Sequence, residues 1–254
     1  ILGIFLLVKS PDDYILAAFL QACTPLIAGI FSIVWLRKHY TGLFKLPPMD
    51  EIINSYKEGW SIFVSSLAVN LYTATNVVVL GMLTNNVIVG YYSAADKLIT
   101  CVRRGIYAVS DAIYPFISKM MKDDISKGLQ FIKKQIFLYL VVGLIGCTSL
   151  FFFSDTIVKL LFGADYELTV DVLRILSFVP LAVAISTVFG EETMLPLNMN
   201  SAYSRTLVLA AFFSLLSIFP LCYMWGAEGV AMTMLLTEFL IMIVMGGLLW
   251  KRLL

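Results

Sequence analysis

The stretch Ile136-Phe-Leu-Tyr-Leu-Val-Val-Gly-Leu-Ile-Gly-Cys-Thr-Ser-Leu-Phe-Phe-Phe153 has no charged residue, with Lys133 and Lys134 before it and Asp155 after. A run of this kind matches the ~30 Å hydrocarbon core of a bilayer when wound into a helix. It is the charge-free part of a span placed at 131–153, and similar stretches lie near 14–36, 59–83, 87–116, 170–190, 203–225 and 229–250. The whole chain has 254 residues, 60% hydrophobic and 14% charged, with a mean hydropathy of +0.90. Such a balance excludes an ordinary water-soluble globule. The fold class expected is all-α, a polytopic bundle of transmembrane helices. The opening run Ile1–Val8 is too short to span and lacks the pattern of a signal peptide, so it reads as the remnant of a cut span and the sequence as a fragment.

The net charge of +1 says little, because the placement of Lys and Arg carries the information in a membrane protein. Arg37, Lys38, Lys45 and Lys57 form one cluster; Lys119, Lys122, Lys127, Lys133 and Lys134 a second; Lys251 and Arg252 a third. If each apolar stretch crosses once, all three fall on one side, and the other side holds only Lys9 and Lys159. The positive-inside rule then places 37–58, 117–134, 191–202 and the carboxyl terminus in the cytoplasm. The acids Glu191 and Glu192 of the 191–202 loop weigh little in that rule. Residues 47–58, entered through Pro47-Pro48, read as a surface helix on the cytoplasmic side, and 155–166 as a short helix lying flat at the outer interface.

Cys23, Cys101, Cys147 and Cys222 show neither metal spacing nor a paired framework, and read as free thiols in the bilayer. His39 has no partner for metal binding or catalysis and reads as solvated. Neither a metal site, a catalytic site nor a cofactor is expected. No phosphate-binding loop is present, and basic residues confined to the membrane surface point to lipid headgroups rather than nucleic acid. Pro25, Pro180 and Pro220 interrupt apolar spans and should kink them.

Charges inside a span are costly and normally face a protein interior or a water-filled cavity. On a helix turning 100° per residue, Tyr92, Ser93, Asp96, Thr100, Arg103, Arg104, Tyr107, Asp111 and Tyr114 share one sector of about 120–140°, with Lys97 at its edge. These charges either compensate one another as ion pairs or line a wet path, and the continuity of the stripe favours the path. Arginine's planar fork suits a phosphate-bearing cargo. In 59–83, Ser66, Asn70 and Thr73 form one polar strip and Ser65, Tyr72 and Asn76 another, read first as interhelical hydrogen bonding. Glu238 stands alone in its span, as a candidate for coupling to an ion or for packing against a Thr or Tyr. Arg174 and Arg205 lie near span ends, where their stems reach the headgroups, and Asp171 is one turn from Arg174.

Gly59-Trp-Ser-Ile-Phe-Val-Ser-Ser66, Leu71-Tyr-Thr-Ala-Thr-Asn76 and Leu80-Gly81 resemble the seventh span of the O-antigen flippases (Wzx-type) of the MOP exporter superfamily. Val89-Gly-Tyr-Tyr-Ser-Ala-Ala-Asp-Lys97, Ala112-Ile-Tyr-Pro115 and Ser118 resemble the eighth, and Leu160-Leu-Phe-Gly163 and Leu173-Arg-Ile-Leu176 the pattern after the ninth. The resemblance implies two six-helix lobes around a central cavity. On that plan 1–36 ends the amino-terminal lobe, 37–58 is a cytoplasmic linker and 59–254 is the carboxyl-terminal lobe. It also implies a transporter of the bacterial inner membrane and not an enzyme. Its cargo would be an undecaprenyl-diphosphate-linked oligosaccharide, moved by alternating access.

Within that frame Arg103 and Arg104 would attract the diphosphate, Tyr92, Tyr107 and Tyr114 would meet the sugars, and Asp96, Asp111 or Glu238 would carry a coupling ion. Lys97, Asn70, Thr73 and Asn76 would also line the substrate path. Membrane lipids and other polysaccharide-assembly membrane proteins are the further partners. A multidrug or cation antiporter of the related MATE type is the nearest alternative, and would favour acids over arginines. A membrane-embedded polysaccharide polymerase or ligase would need a large outer loop, and a purely structural subunit would tolerate Leu in the stripe.

Overall fold

The computed structural model describes residues 14–39 and 47–253, so the readings made of Ile1–Val8, Lys9 and Lys45 lie outside the described residues. The chain divides after Ser55 into two units. In the first, α1 is Tyr14–His39, with Pro25 inside it and Arg37, Lys38 and His39 in its last turn, where cations favour the helix dipole. The His39 ring stacks on Trp35 with centroids 4.4 Å apart, and its Nδ1 lies 2.9 Å from the Trp35 carbonyl.

Helix α2, Met49–Leu83, has 35 residues and would measure about 52 Å at 1.5 Å per residue, more than the bilayer core needs. Residues 49–58 are thus continuous with the following helix and do not form a separate one. Pro48 does mark the start, its carbonyl accepting from the amides of Glu51 at 3.1 Å and Ile52 at 3.3 Å. Gly59 is the weak point at the junction, and about 1 kcal/mol of lost propensity does not end a helix that continues on both sides.

Helix α3 is Asn86–Asp123 and α4 is Ile125–Phe152. Both starts are capped by side chains: Asn85 Oδ1 accepts from the amides of Val87 and Ile88 at 3.0 Å each, and Asp124 Oδ1 from those of Ser126 at 2.9 Å and Lys127 at 3.3 Å. The bond from the Lys127 amide, above all, holds the Asp124 carboxyl below its ordinary range. Its contribution to the cap is therefore present above the unfolded carboxylate range and fades as pH falls through the depressed folded value.

The short α5, Ser154–Phe162, ends at Gly163, whose φ of 93° only glycine adopts readily. A 3₁₀ turn, Ala164–Tyr166, leads into α6, Glu167–Leu176, and α7, Val179–Phe189. The expected crossing at 170–190 is thus interrupted at Ser177-Phe178. Pro180 sits in the first turn of α7, where its missing N–H leaves no bond unmade. A π-helical turn, Gly190–Met194, extends α7, and the final element is α8, Asn200–Leu253. Residue 226 breaks α8, with Gly226 at φ 55° and ψ −126°.

Among the described residues, four helical segments are long and apolar enough to cross a membrane: Gly59–Leu83, Ile125–Phe152, Glu167–Met194 and Asn200–Arg252. The last passes twice, because beyond Gly226 the backbone at Gly229 lies against the Leu221 carbonyl. Helix α3 has the length but carries Asp96, Lys97, Arg103, Arg104 and Asp111, and it packs among α4, α6, α7 and α8. The core clusters order the traverses. One gathers Leu80 of α2, Tyr92 and Ile99 of α3, Leu173 of α6, and Cys222 and Val230 from the two sides of the α8 break. Another joins Ala68 and Tyr72 to Leu207 and Met245, and a third joins Ile117 and Met121 of α3 to Ile132 of α4. These groupings are those of alternating antiparallel crossings, so the basic residues at 119–134 and 251–252 share one end of the bundle.

Helix α7 is enclosed, with every residue from Val179 to Val188 buried. By contrast α4 turns Phe137 (70% exposed), Leu138, Val142 and Ile145 away from the protein. An apolar surface of that kind fits lipid and would aggregate in water. All four cysteines are free, Cys147 and Cys222 packed inside the protein and Cys101 facing out of it.

A Cβ at position 229 would collide with the backbone of Leu221 and Cys222, whereas one at 247 meets nothing. Gly229→Ala is therefore expected to destabilise the purified protein by about 2–3 kcal/mol and Gly247→Ala to leave it unchanged or slightly more stable, read as the shift in thermal unfolding midpoint.

Candidate functional site

A cleft of about 500 Å³ opens between α2, α3, the π turn and α8. From α3 it takes Tyr92, Asp96, Thr100, Arg103, Arg104 and Tyr107, spaced three and four residues apart on one helical face. From α2 it takes Ser65, Ser66, Asn70, Thr73 and Asn76; Glu191, Tyr203, Leu207 and Met234 close the other side. The polar stripe of α3 and both polar strips of α2 thus face a common space. Lys97, Asp111 and Tyr114 do not line it. Lys97 sits on the neighbouring face of α3 and is exposed. Asp111 and Tyr114 follow Tyr107 by four and seven residues, beyond the end of the cleft.

One member of the stripe is already compensated. Arg103 Nη2 lies 3.7 Å from Glu238 Oε1, and the Tyr72 hydroxyl donates to the same oxygen at 3.0 Å. Arg103 is 9% exposed, Glu238 3% and Tyr72 2%. Glu238 therefore meets Arg103 of α3 and Tyr72 of α2 at one carboxylate oxygen, a contact that joins α2, α3 and α8. Leaving either charge unpaired at this depth would cost several kcal/mol.

The other charges of the stripe do not neutralise one another. Among the described residues, Asp96, Lys97, Arg104 and Asp111 enter no ion pair. Arg104 is exposed and lines the cleft, which leaves its planar donor fork facing the cavity without an acid. The α2 strips also depart from expectation. Ser65, Asn70 and Thr73 donate to the carbonyls of Ser61, Ser66 and Val69 on their own helix, at 2.8, 2.9 and 2.8 Å. Only Tyr72 of these residues bonds across helices. Asn76 is 1% exposed, and neither Nδ2 nor Oδ1 has a partner although the residue lines the cleft.

At the bundle surface, Arg174 binds Asp171 at 3.1 Å and Ser154 Oγ at 3.2 Å, in keeping with its place near a span end. Glu191 and Glu192, read as part of a cytoplasmic loop, are instead built into the protein. Glu191 faces the cleft, while Glu192 is 0% exposed and accepts from Ser110 Oγ at 2.7 Å. The apolar run ends at Gly190, so the sequence reads as leaving the membrane there; the π turn that keeps the chain inside has no signature beyond two adjacent acids. Tyr203, Leu207 and Met234 carried no signal that separates cleft wall from ordinary core.

Together these features define a polytopic α-helical membrane protein with a charged cleft within its helical bundle. A profile of the polysaccharide biosynthesis protein family matches residues 1–121. A protein of Shigella dysenteriae named "Putative O-antigen transporter" is 32% identical over 241 residues, covering 95% of this chain and 60% of that protein. A protein of the same name from Escherichia coli (strain K12) is 30% identical over 238 residues, covering 93% and 57%. No solved structure matches the chain. The chain is thus similar along nearly all of its length to two proteins named as putative O-antigen transporters, in keeping with the resemblance of its second and third complete spans, and it spans about three fifths of the length of these relatives.

Replacing Arg103 by Met is expected to destabilise the protein by about 3 kcal/mol, because Glu238 is left charged and buried. Adding Glu238→Gln, which keeps an acceptor for Tyr72, should recover most of that loss in the same thermal unfolding measurement.

Proposed function

We propose that this chain forms the carboxyl-terminal lobe of a transporter that carries undecaprenyl-diphosphate-linked oligosaccharide units across the bacterial inner membrane, with its carboxyl terminus in the cytoplasm. On this reading 1–36 belongs to the preceding lobe and 37–58 links the two. The observation that carries the proposal is the cleft itself. It opens within the helical bundle and sets Arg104, which enters no ion pair among the described residues, beside a wall of amide, hydroxyl and carboxyl groups. An apolar polyprenyl tail has no use for such a wall, whereas a diphosphate bearing sugars does.

The roles divide by partner. Arg104 offers two parallel N–H donors to a phosphate. Arg103, held by Glu238, adds positive potential to the wall without being free to follow the cargo. Asn70, Thr73 and Asn76 face Tyr92 and Tyr107 across the cleft, and the carboxamide of Asn76 has both a donor and an acceptor to give to a sugar hydroxyl. Asp96 stands in the same wall. Alternating access would expose the cleft to one side of the membrane and then the other.

The antiporter alternative would favour acids over arginines in its cavity; the cleft holds Asp96 and Glu191, and the presence of Arg103 and Arg104 beside them weighs against it. The test is binding of undecaprenyl diphosphate to the chain in nanodiscs. Loss of a charge-assisted contact of about 1.5–3 kcal/mol should weaken binding roughly tenfold or more in Arg104→Gln, with smaller losses in Asn76→Ala and none in Lys97→Gln. Equal binding by wild type and Arg104→Gln would remove the assignment.

A further inference from the structure

Behind the cleft wall lies a second polar cluster that the transport reading does not use. Glu192, in the π turn, is fully enclosed, and its Oε1 accepts from Ser110 Oγ of α3 at 2.7 Å. Its Oε2 has no partner. The Gln135 carboxamide of α4 stands close to this carboxyl but outside hydrogen-bonding geometry, and the Tyr139 hydroxyl lies near Gln135. Gln135 Nε2, Gln135 Oε1 and the Tyr139 hydroxyl are likewise buried without partners.

Glu192 and Glu238 make an instructive contrast. Both are buried acids, but Glu238 has Arg103, whereas no cation pairs with Glu192 among the described residues. Lys133 and Lys134, the chain neighbours of Gln135, are exposed. The titratable groups about the site are Glu191 in the same turn, with Asp111 of α3 near it, Tyr139 of α4, and Tyr203 of α8 near Glu191. None of them supplies a positive charge. An isolated carboxylate in a low-dielectric interior costs several kcal/mol, so this site needs a neutralising ligand.

We propose that Ser110, Gln135, Tyr139 and Glu192 form a proton-binding site, in which Glu192 takes up one proton at Oε2 and shares it as a hydrogen bond with Gln135 Oε1. The step balances simply: one O–H bond forms, the site's charge goes from −1 to 0, and the proton comes from water. The geometry favours a proton over a metal cation. The Ser110 hydroxyl already points its hydrogen at the carboxyl group, an orientation a neighbouring cation would oppose. The nearby Thr193 hydroxyl is taken up by the Val188 carbonyl at 2.7 Å. The site also has an outlet, since Glu191, the next residue along the chain, lines the cleft. Coupling of this proton to cargo movement rests on the transport reading; its binding does not.

The test is infrared difference spectroscopy of the whole chain in nanodiscs, without cargo, between acidic and alkaline buffers free of sodium and potassium. Wild type should show the carbonyl stretch of a buried protonated carboxyl. That band should vanish in Glu192→Gln and shift in Gln135→Leu and in Ser110→Ala, which leave the carboxyl in place. If Glu192→Gln does not fold, the shifts in the other two variants carry the assignment. Persistence of the band in a folded Glu192→Gln, absence of shifts in the other two, or displacement of the band by sodium or potassium would each overturn the proposal. Because no cargo is present, a failed lipid-binding experiment leaves this outcome unaffected.

Discussion

The bilayer does not tolerate a bare charge, and the contact between Arg103 and Glu238 answers that constraint at the centre of this protein. Three traverses meet there: α2 through Tyr72, α3 through Arg103 and the second half of α8 through Glu238. Their association cannot come from the hydrophobic effect alone, since a lipid tail is as apolar as a leucine. A paired charge with a hydroxyl on the same carboxylate oxygen sets the rotation of all three helices, and that rotation turns the remaining polar face of α3 toward open space. The cleft is, in this sense, the other side of the ion pair.

Burial is distributed to match. Helix α7 is wrapped on every side, whereas α4 offers the membrane a nearly continuous apolar surface. The polar groups are concentrated where α2, α3 and α8 leave a gap, and hydroxyls that do not face a partner return their hydrogen to the carbonyl four residues back along their own helix. This keeps backbone and side chain satisfied without closing the gap.

Much of this was legible in the residues. Apolar runs located the crossings because hydrocarbon thickness sets a length, and helical periodicity placed Asp96, Arg103, Arg104 and Tyr107 on one face because 3.6 residues per turn is a local property. What could not be read were contacts between distant segments. Nothing near Glu238 announces Arg103, and nothing in Gly190–Met194 distinguishes a buried π turn from a loop, so Glu191 and Glu192 looked solvent-bound. Nor does the periodicity of α3 reveal where a neighbouring helix ends the cleft, which is why Asp111 and Tyr114 shared the stripe without sharing the cavity. The start of α2 was missed for the opposite reason: a helix was expected there, and the sequence lacked the breaker that would have detached it.

The ion pair also has a consequence for biogenesis. A ribosome delivers Arg103 long before Glu238, and α3 falls outside the set of helices apolar enough to enter a membrane on composition alone. Its stable insertion therefore has to wait for the last crossing to be made. A chain that has yet to make its last crossing therefore carries Arg103 without the carboxylate that compensates it in the finished bundle.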